Sequence, residues 1–201
     1  HAELWSQLEK RPGRENVKKV TLDLSDSYKS FVKGFFPNAK IIADRFHVQR
    51  LFNPILLNAR IEITGDKRKN PARWLINKNR SRLKPWERTV LDQWLKVNPK
   101  INEIYQFKEA VARMYNIRGV ERARIVFDRI IEQLNTTQNS LLKTLQRTFK
   151  RWREEILNFF VFRLTNARVE GFNNVAKVIK RRGYGFRSFE NYKLRLLNAC
   201  S

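Results

Sequence analysis

Cysteine is almost absent: one thiol, Cys200, occurs in 201 residues, so no internal disulfide can form, which fits a reducing compartment. Two histidines, His1 and His47, together with that one cysteine exclude a zinc site built of Cys and His alone. Glycine and proline are sparse, at seven and six, and there is no Ser-rich stretch, which argues against flexible joints between domains. No apolar run approaches the roughly 20 residues that a membrane-spanning helix needs. The opening HAELWSQLEK has neither the apolar core nor the small-residue cleavage site of a secretory leader. A cytoplasmic protein with no membrane partner is the expectation. No internal repeat of solenoid length is present.

Acidic residues are also scarce, 19 against 42 Lys and Arg, giving a formal charge of +23. Hydrophobic residues still make up 42% of the chain, enough for a packed core. A field this positive speaks to partners and not to fold, and the partner it most simply implies is a nucleic acid.

Along the chain, Leu4, Trp5 and Leu8 predict a short helix over 3–10, ended by RPGREN at 11–16. In VKKVTLDLSDSY, Val20, Leu22 and Leu24 alternate with Thr21 and Asp23 in the period of a strand, which places Asp23 near the strand's carboxyl end. Ser25 and Asp26 are good cap residues, and Tyr28, Phe31, Val32 and Phe35 follow at helical spacing, with a stop at Pro37. The run AKIIAD predicts a second, buried strand that delivers Asp44 at its end. Strand, helix, strand implies a right-handed crossover with both strands parallel and both aspartates at one carboxyl edge, the edge where open α/β sheets bind ligands.

From about Phe46 to Phe160 strand signals stop. Helices are predicted over 46–63, 71–80, 85–96, 99–116, 118–135 and 138–160, an all-helical block. Trp74, Trp86, Trp94 and Trp152 read as packing residues of this block rather than base-stacking platforms. Its arginines are individually solvated surface, and collectively candidates for phosphate contacts.

The stretch TNARVEGFNNVAKVIKRRGYGFR at 165–187 places one carboxylate, Glu170, in a run of cations. At helical period Val169, Phe172, Ala176 and Ile179 form a stripe expected to pack, while Glu170, Asn173, Asn174, Lys177 and Arg181 share the neighbouring polar side. A carboxylate on a rigid helix beside amides and cations suits a divalent metal held against a phosphate. A surface glutamate balancing local basic charge is the plainer reading of the helix taken alone. Tyr184 and Phe186, set among glycines and flanked by Arg182 and Arg187, fit either base stacking or anchoring of a tight turn. A helix capped near Ser188 follows.

Asp23, Asp44 and Glu170 are carboxylates that a small α/β layer brings together if the late helix returns to the sheet edge. Two metals held there would serve phosphoryl transfer. His47, three residues after Asp44, is by itself more often a hydrogen-bonded core-edge histidine than a reacting group.

The segments VTLDLSDSYKSFVKGFFPNAKIIADRFHVQRL at 20–51 and TNARVEGFNNVAKVIKRRGYGFRSFENYKLR at 165–195 resemble the DDE transposases of bacterial insertion sequences, specifically the ISL-three group. The resemblance implies an α/β but predominantly helical fold: a partial ribonuclease-H-like core of two short parallel strands, with its first strands missing, and a large all-helical insertion. The implied parts are core at 1–47, insertion at 48–160 and core helices at 161–201. Asp23 becomes the second acid of the triad and Glu170 the third, with Asp44 and His47 an aspartate-x-x-histidine motif. Catalytic Asp23, Glu170 and His47, metal ligands Asp23, Glu170 and Asp44, and Mg2+ or Mn2+ at a two-metal site follow from it. The nucleic-acid contacts expected are Asn173, Asn174, Lys177, Lys180, Arg181, Arg182, Tyr184 and Arg187.

In the family the first acid lies on a preceding strand that is not among these 201 residues, so the chain alone is expected not to cleave DNA. An uncovered strand edge predicts self-association. The partners implied are transposon-end and target DNA and further copies of the chain, with nucleoid association when bound. The competing reading is a basic helical module that binds DNA or RNA without catalysis.

Overall fold

The computed structural model describes residues 12–65 and 72–200, together with Trp5 and Glu9. The chain divides into two compact units, His1–Arg163 and Leu164–Ser201. The helix expected over 3–10 lies mostly outside the described residues.

The first unit begins with a 3-10 turn, Arg14–Asn16, and then β1 (Lys19–Leu22), α1 (Asp26–Phe35) and β2 (Lys40–Ala43). The strands are parallel, with Lys19 opposite Lys40 and Leu22 opposite Ala43. The serine cap is as expected: Tyr28 N–H donates to Ser25 Oγ at 3.5 Å, and the helix ends at Phe35, ahead of Pro37. β2 contributes to two cores. Ile41 packs with Phe31, Val32 and Phe35 of α1, while Ile42 and Ala43 join the larger core on the other side. Trp5 meets Phe31 and Phe35 edge-on at 5.7 and 5.0 Å.

The helical block comprises α2 (Arg45–Arg50), α3 (Phe52–Thr64), α4 (Ala72–Leu75), α5 (Pro85–Lys96), α6 (Pro99–Met114), α7 (Val120–Thr136), α8 (Lys143–Arg151) and α9 (Arg153–Phe162). One continuous core runs from β2 through these helices to Phe160. Burying each such large apolar side chain contributes about 1.5–3 kcal/mol before ordering costs. α9 also services the sheet: Asn158 Nδ2 donates to the Ile41 carbonyl at 2.7 Å. That bond satisfies a strand group which a buried helix face would otherwise leave unpaired.

Three expectations within the block are corrected. The helix over 138–160 is two helices after a 3-10 turn at Ser140–Leu142, broken at Trp152, which leaves helical geometry (φ −104°, ψ 15°) with its side chain fully buried. The helix over 71–80 shrinks to α4 and a 3-10 turn at Arg80–Arg82, because the buried Glu109 carboxylate accepts the Arg80 backbone N–H at 3.1 Å and holds the chain open. Trp152 is core and Trp94 packs against it, but Trp74 and Trp86 are exposed and lean on each other at 6.5 Å.

The second unit is a hairpin of α10 (Ala167–Arg182) and α11 (Phe189–Cys200). No described residue of either helix is buried. The expected stripe on α10 is thus only half covered: Ala176 and Ile179 are half-buried, Val169 and Phe172 exposed. Two helices alone offer too little surface to cover a full apolar face. The turn between them separates its two aromatics. Phe186 is the anchor, 5.3 Å from Tyr192 and so close to Gly183 that a Cβ there would meet its ring at 2.7 Å. Tyr184 is fully exposed, at φ 48°.

Candidate metal centre

Because Leu22 and Ala43 are paired, Asp23 and Asp44 leave the sheet side by side, and the Asp44 N–H donates to the Leu22 carbonyl at 2.8 Å. Asp44 then occupies the N-cap position of α2, yet its side chain makes no capping bond. Its carboxylate instead meets the residue one turn on: His47 Nδ1 lies 3.0 Å from Asp44 Oδ2. The same nitrogen lies 2.9 Å from Asp23 Oδ1. One ligand-type atom from each of the three residues falls within 4.8 Å of the others.

Exposure grades across the cluster. The Asp23 and His47 side chains are 53% and 37% exposed, while that of Asp44 is 3% exposed, so the site opens to solvent on the Asp23 side. Asp44 Oδ1 is buried and has no hydrogen-bond partner among the described residues. A carboxylate oxygen left in that state costs about 1–3 kcal/mol or more unless something satisfies it. Tyr115, from the end of α6, stands on the inner side. Burial first, and then the Asp44 carboxylate, push its hydroxyl well above the usual phenol range. Tyr115 was not legible as a neighbour of the site, because only tertiary packing brings residue 115 to residue 44.

The donor set suits a hard or borderline divalent cation: two carboxylates and one imidazole, with an uncompensated oxygen facing inward. An imidazole carrying its proton on Nδ1 donates to both carboxylates and holds them near each other. One presenting its lone pair there completes a three-ligand set.

Glu170 lies in the first turn of α10, in the second unit, with its N–H on the Asn166 carbonyl at 2.8 Å. Asn173, Asn174, Lys177, Lys180, Arg181 and Arg182 follow on the same helix, and Tyr184 and Arg187 lie in the turn after it. All eight are exposed. The structure thus gathers Asp23, Asp44 and His47 in the first unit and presents Glu170 with the basic and amide residues on the second.

Fold and site together define a basic, mainly helical α/β protein with two carboxylates and an imidazole gathered at a parallel-sheet edge. Residues 2–196 match the model of a family described as transposase, and the chain belongs to that ISL-three transposase family. It is 28% identical over 191 residues to the transposase for insertion sequence element IS1001 of Bordetella parapertussis, a match covering 90% of this chain and 47% of that protein. It is 33% identical over 115 residues to a protein of Lactococcus lactis subsp. lactis named ATP-dependent protease, covering 55% of this chain and 34% of that one. The chain thus spans about half the length, or less, of these curated relatives. No Gly-Lys pair occurs in its 201 residues, so a phosphate-binding loop of the Gly-Lys-Ser/Thr type is not part of it. No solved structure matches the chain. No described helix is long and apolar enough to cross a membrane.

Proposed function

We propose that this chain forms part of the catalytic region of a transposase, and that Asp23, Asp44 and His47 hold a divalent cation, Mg2+ or Mn2+, beside a DNA phosphodiester. The observation that carries the reading is the convergence of three ligand-type groups at one sheet edge, one of them a buried carboxylate with an unpartnered oxygen. Membership of the transposase family and the strongly positive charge favour it over a structural acid cluster.

In this reading Asp44 is the fixed ligand, locked by burial and by its place between β2 and α2, and Asp23 is the solvent-side ligand that meets the phosphate. His47 sets the spacing of the two carboxylates and presents its ring at the same opening. A bound cation would neutralise phosphate charge and lower the pKa of an attacking water or hydroxyl. Glu170 supplies the third carboxylate of the triad, and the exposed amides and cations of α10 and its following turn grip the DNA backbone. The strand–helix–strand segment is then part of a ribonuclease-H-like core interrupted by the helical block. Self-association of copies through the β1 edge accompanies this arrangement.

Transposition of a marked element, scored in cells with Asp23→Asn, Asp44→Asn and Glu170→Gln introduced one at a time, tests the reading. Loss of transposition with DNA binding retained supports it. Retention of transposition in all three overturns it. Loss of DNA binding together with activity favours the non-catalytic binding module.

A further inference from the structure

On the side of α2 away from His47, the first unit carries a cleft. At about 100° per residue, Arg45 and Gln49 fall nearly opposite His47 on that helix and Phe46 about a quarter-turn from it, and all three line a cavity of about 450 Å³. A second cavity of about 290 Å³ adjoins it, sharing Phe46, Gln49, Asn79, Arg82 and Ala112. The walls are α2, the open segment 77–82 after α4, and α6.

The charge of this cleft is one-sided. Five arginines line the first cavity, Arg45, Arg80, Arg82, Arg88 and Arg113, and the second adds Arg50, Lys78 and Lys108. The sole carboxylate among the described lining residues is Glu109. Three of the cations are compensated: Arg80 by Asp92, Lys78 by Glu87 and Lys108 by Glu109, at 2.5, 3.2 and 3.0 Å. Arg45, Arg82 and Arg113 have no carboxylate at ion-pair distance among the described residues, and Arg45 Nε is buried without a hydrogen-bond partner. Concentrated, uncompensated guanidinium groups repel one another and are relieved by a polyanion.

The lining is more than charge. Gln49, Asn53, Asn77, Asn79 and Asn116 supply amides, and Phe46 supplies a half-buried ring. Amides that both donate and accept, an aromatic face and phosphate-binding guanidinium groups are what an unpaired nucleotide segment uses.

We infer that this cleft is a binding track for a single-stranded nucleic-acid segment, set on the helical block and separate from the carboxylate–imidazole cluster. It rests on the nucleic-acid part of the proposed function but not on cation binding.

The test is fluorescence anisotropy of a labelled oligonucleotide, single-stranded or annealed to its complement, titrated with the chain in EDTA across a salt series. EDTA removes the cation cluster from the result. The Arg82→Glu/Arg113→Glu double variant is expected to weaken single-strand binding at least about tenfold, and to reduce the salt slope by about 1.4, because two phosphates are no longer neutralised. Duplex binding should change less. Arg122→Glu/Arg129→Glu on the exposed side of α7, with the same charge change, should cost less than about threefold. Arg82→Gln/Arg113→Gln, with circular dichroism to verify folding, should reproduce the direction of the effect. Equal losses of affinity from the cleft and control pairs would mean a diffuse field and overturn the inference. So would tight binding of ATP with no binding of the oligonucleotide.

Discussion

Asp23 and Asp44 follow adjacent parallel strands at the same register step, and one nitrogen of His47 bridges their carboxylates at 2.9 and 3.0 Å. Two like charges at one sheet edge repel, so the arrangement holds because something positive or proton-donating sits between them. An imidazole with its proton on Nδ1 does so, and a divalent cation would do so more strongly.

Asp44→Asn should therefore weaken Mn2+ binding at least about tenfold, since ligand-shell changes typically cost that much or more. Isothermal titration calorimetry measures it. Asp26→Asn, a surface acid paired with Arg151 at 2.8 Å, is the control and should leave Mn2+ affinity unchanged.

His47→Ala should act differently from Asp44→Asn. With the bridge gone, Mn2+ affinity falls but the carboxylates remain. A partial loss, smaller than that of the Asp44 variant, is expected in the same titration, and an undiminished affinity would restrict His47 to a purely structural part.

The ion pair between α7 and α9 gives a pH prediction. Arg153 Nε and a terminal nitrogen bind the two oxygens of Asp128 at 2.8 and 2.6 Å, and those hydrogen bonds hold the Asp128 carboxyl below its ordinary range. The folded state then binds the proton less readily than the unfolded state. This stabilisation is present above the unfolded value of about 4 and is lost as pH falls through the lower folded value. Being partly exposed, the pair contributes only about 0.5 kcal/mol. Thermal unfolding of wild type and Asp128→Asn should show that gap at pH 7 and a closing gap below pH 4.

Trp152 breaks the helix between α8 and α9 and lies fully buried, with Lys29 Nζ 4.6 Å above its ring and paired to Glu155 at 2.8 Å. Trp152→Ala should cost about 3–5 kcal/mol, read from the denaturant midpoint. The Lys29→Met variant keeps much of the packing but leaves the buried Glu155 carboxylate unpaired, and should itself cost about 1–3 kcal/mol or more.

The strand–helix–strand unit was legible because each signal was local: alternation in VTLDL, a serine cap, a proline stop, a short apolar run. From those, the common edge of Asp23 and Asp44 follows by topology alone. What was not legible depends on partners distant in sequence. The break at Trp152 has no glycine or proline to mark it, and the open segment at Asn79–Arg82 answers to Glu109, 29 residues from Arg80. The exposed Trp74 and Trp86 show that an aromatic at helical spacing marks an apolar face but not whether anything covers it. The stripe on α10 fell short for the same reason. Tyr115 and the arginine cleft were invisible because their members come from three separated stretches.

The most direct test of the cation site is X-ray diffraction from crystals of the chain grown or soaked with Mn2+, with the anomalous signal used to locate the ion. A peak at about 2.0–2.3 Å from carboxylate oxygens of Asp23 and Asp44, absent in Asp44→Asn crystals, is the predicted result. A well-ordered Asp23–His47–Asp44 cluster with no peak beside it at millimolar Mn2+ would contradict the account.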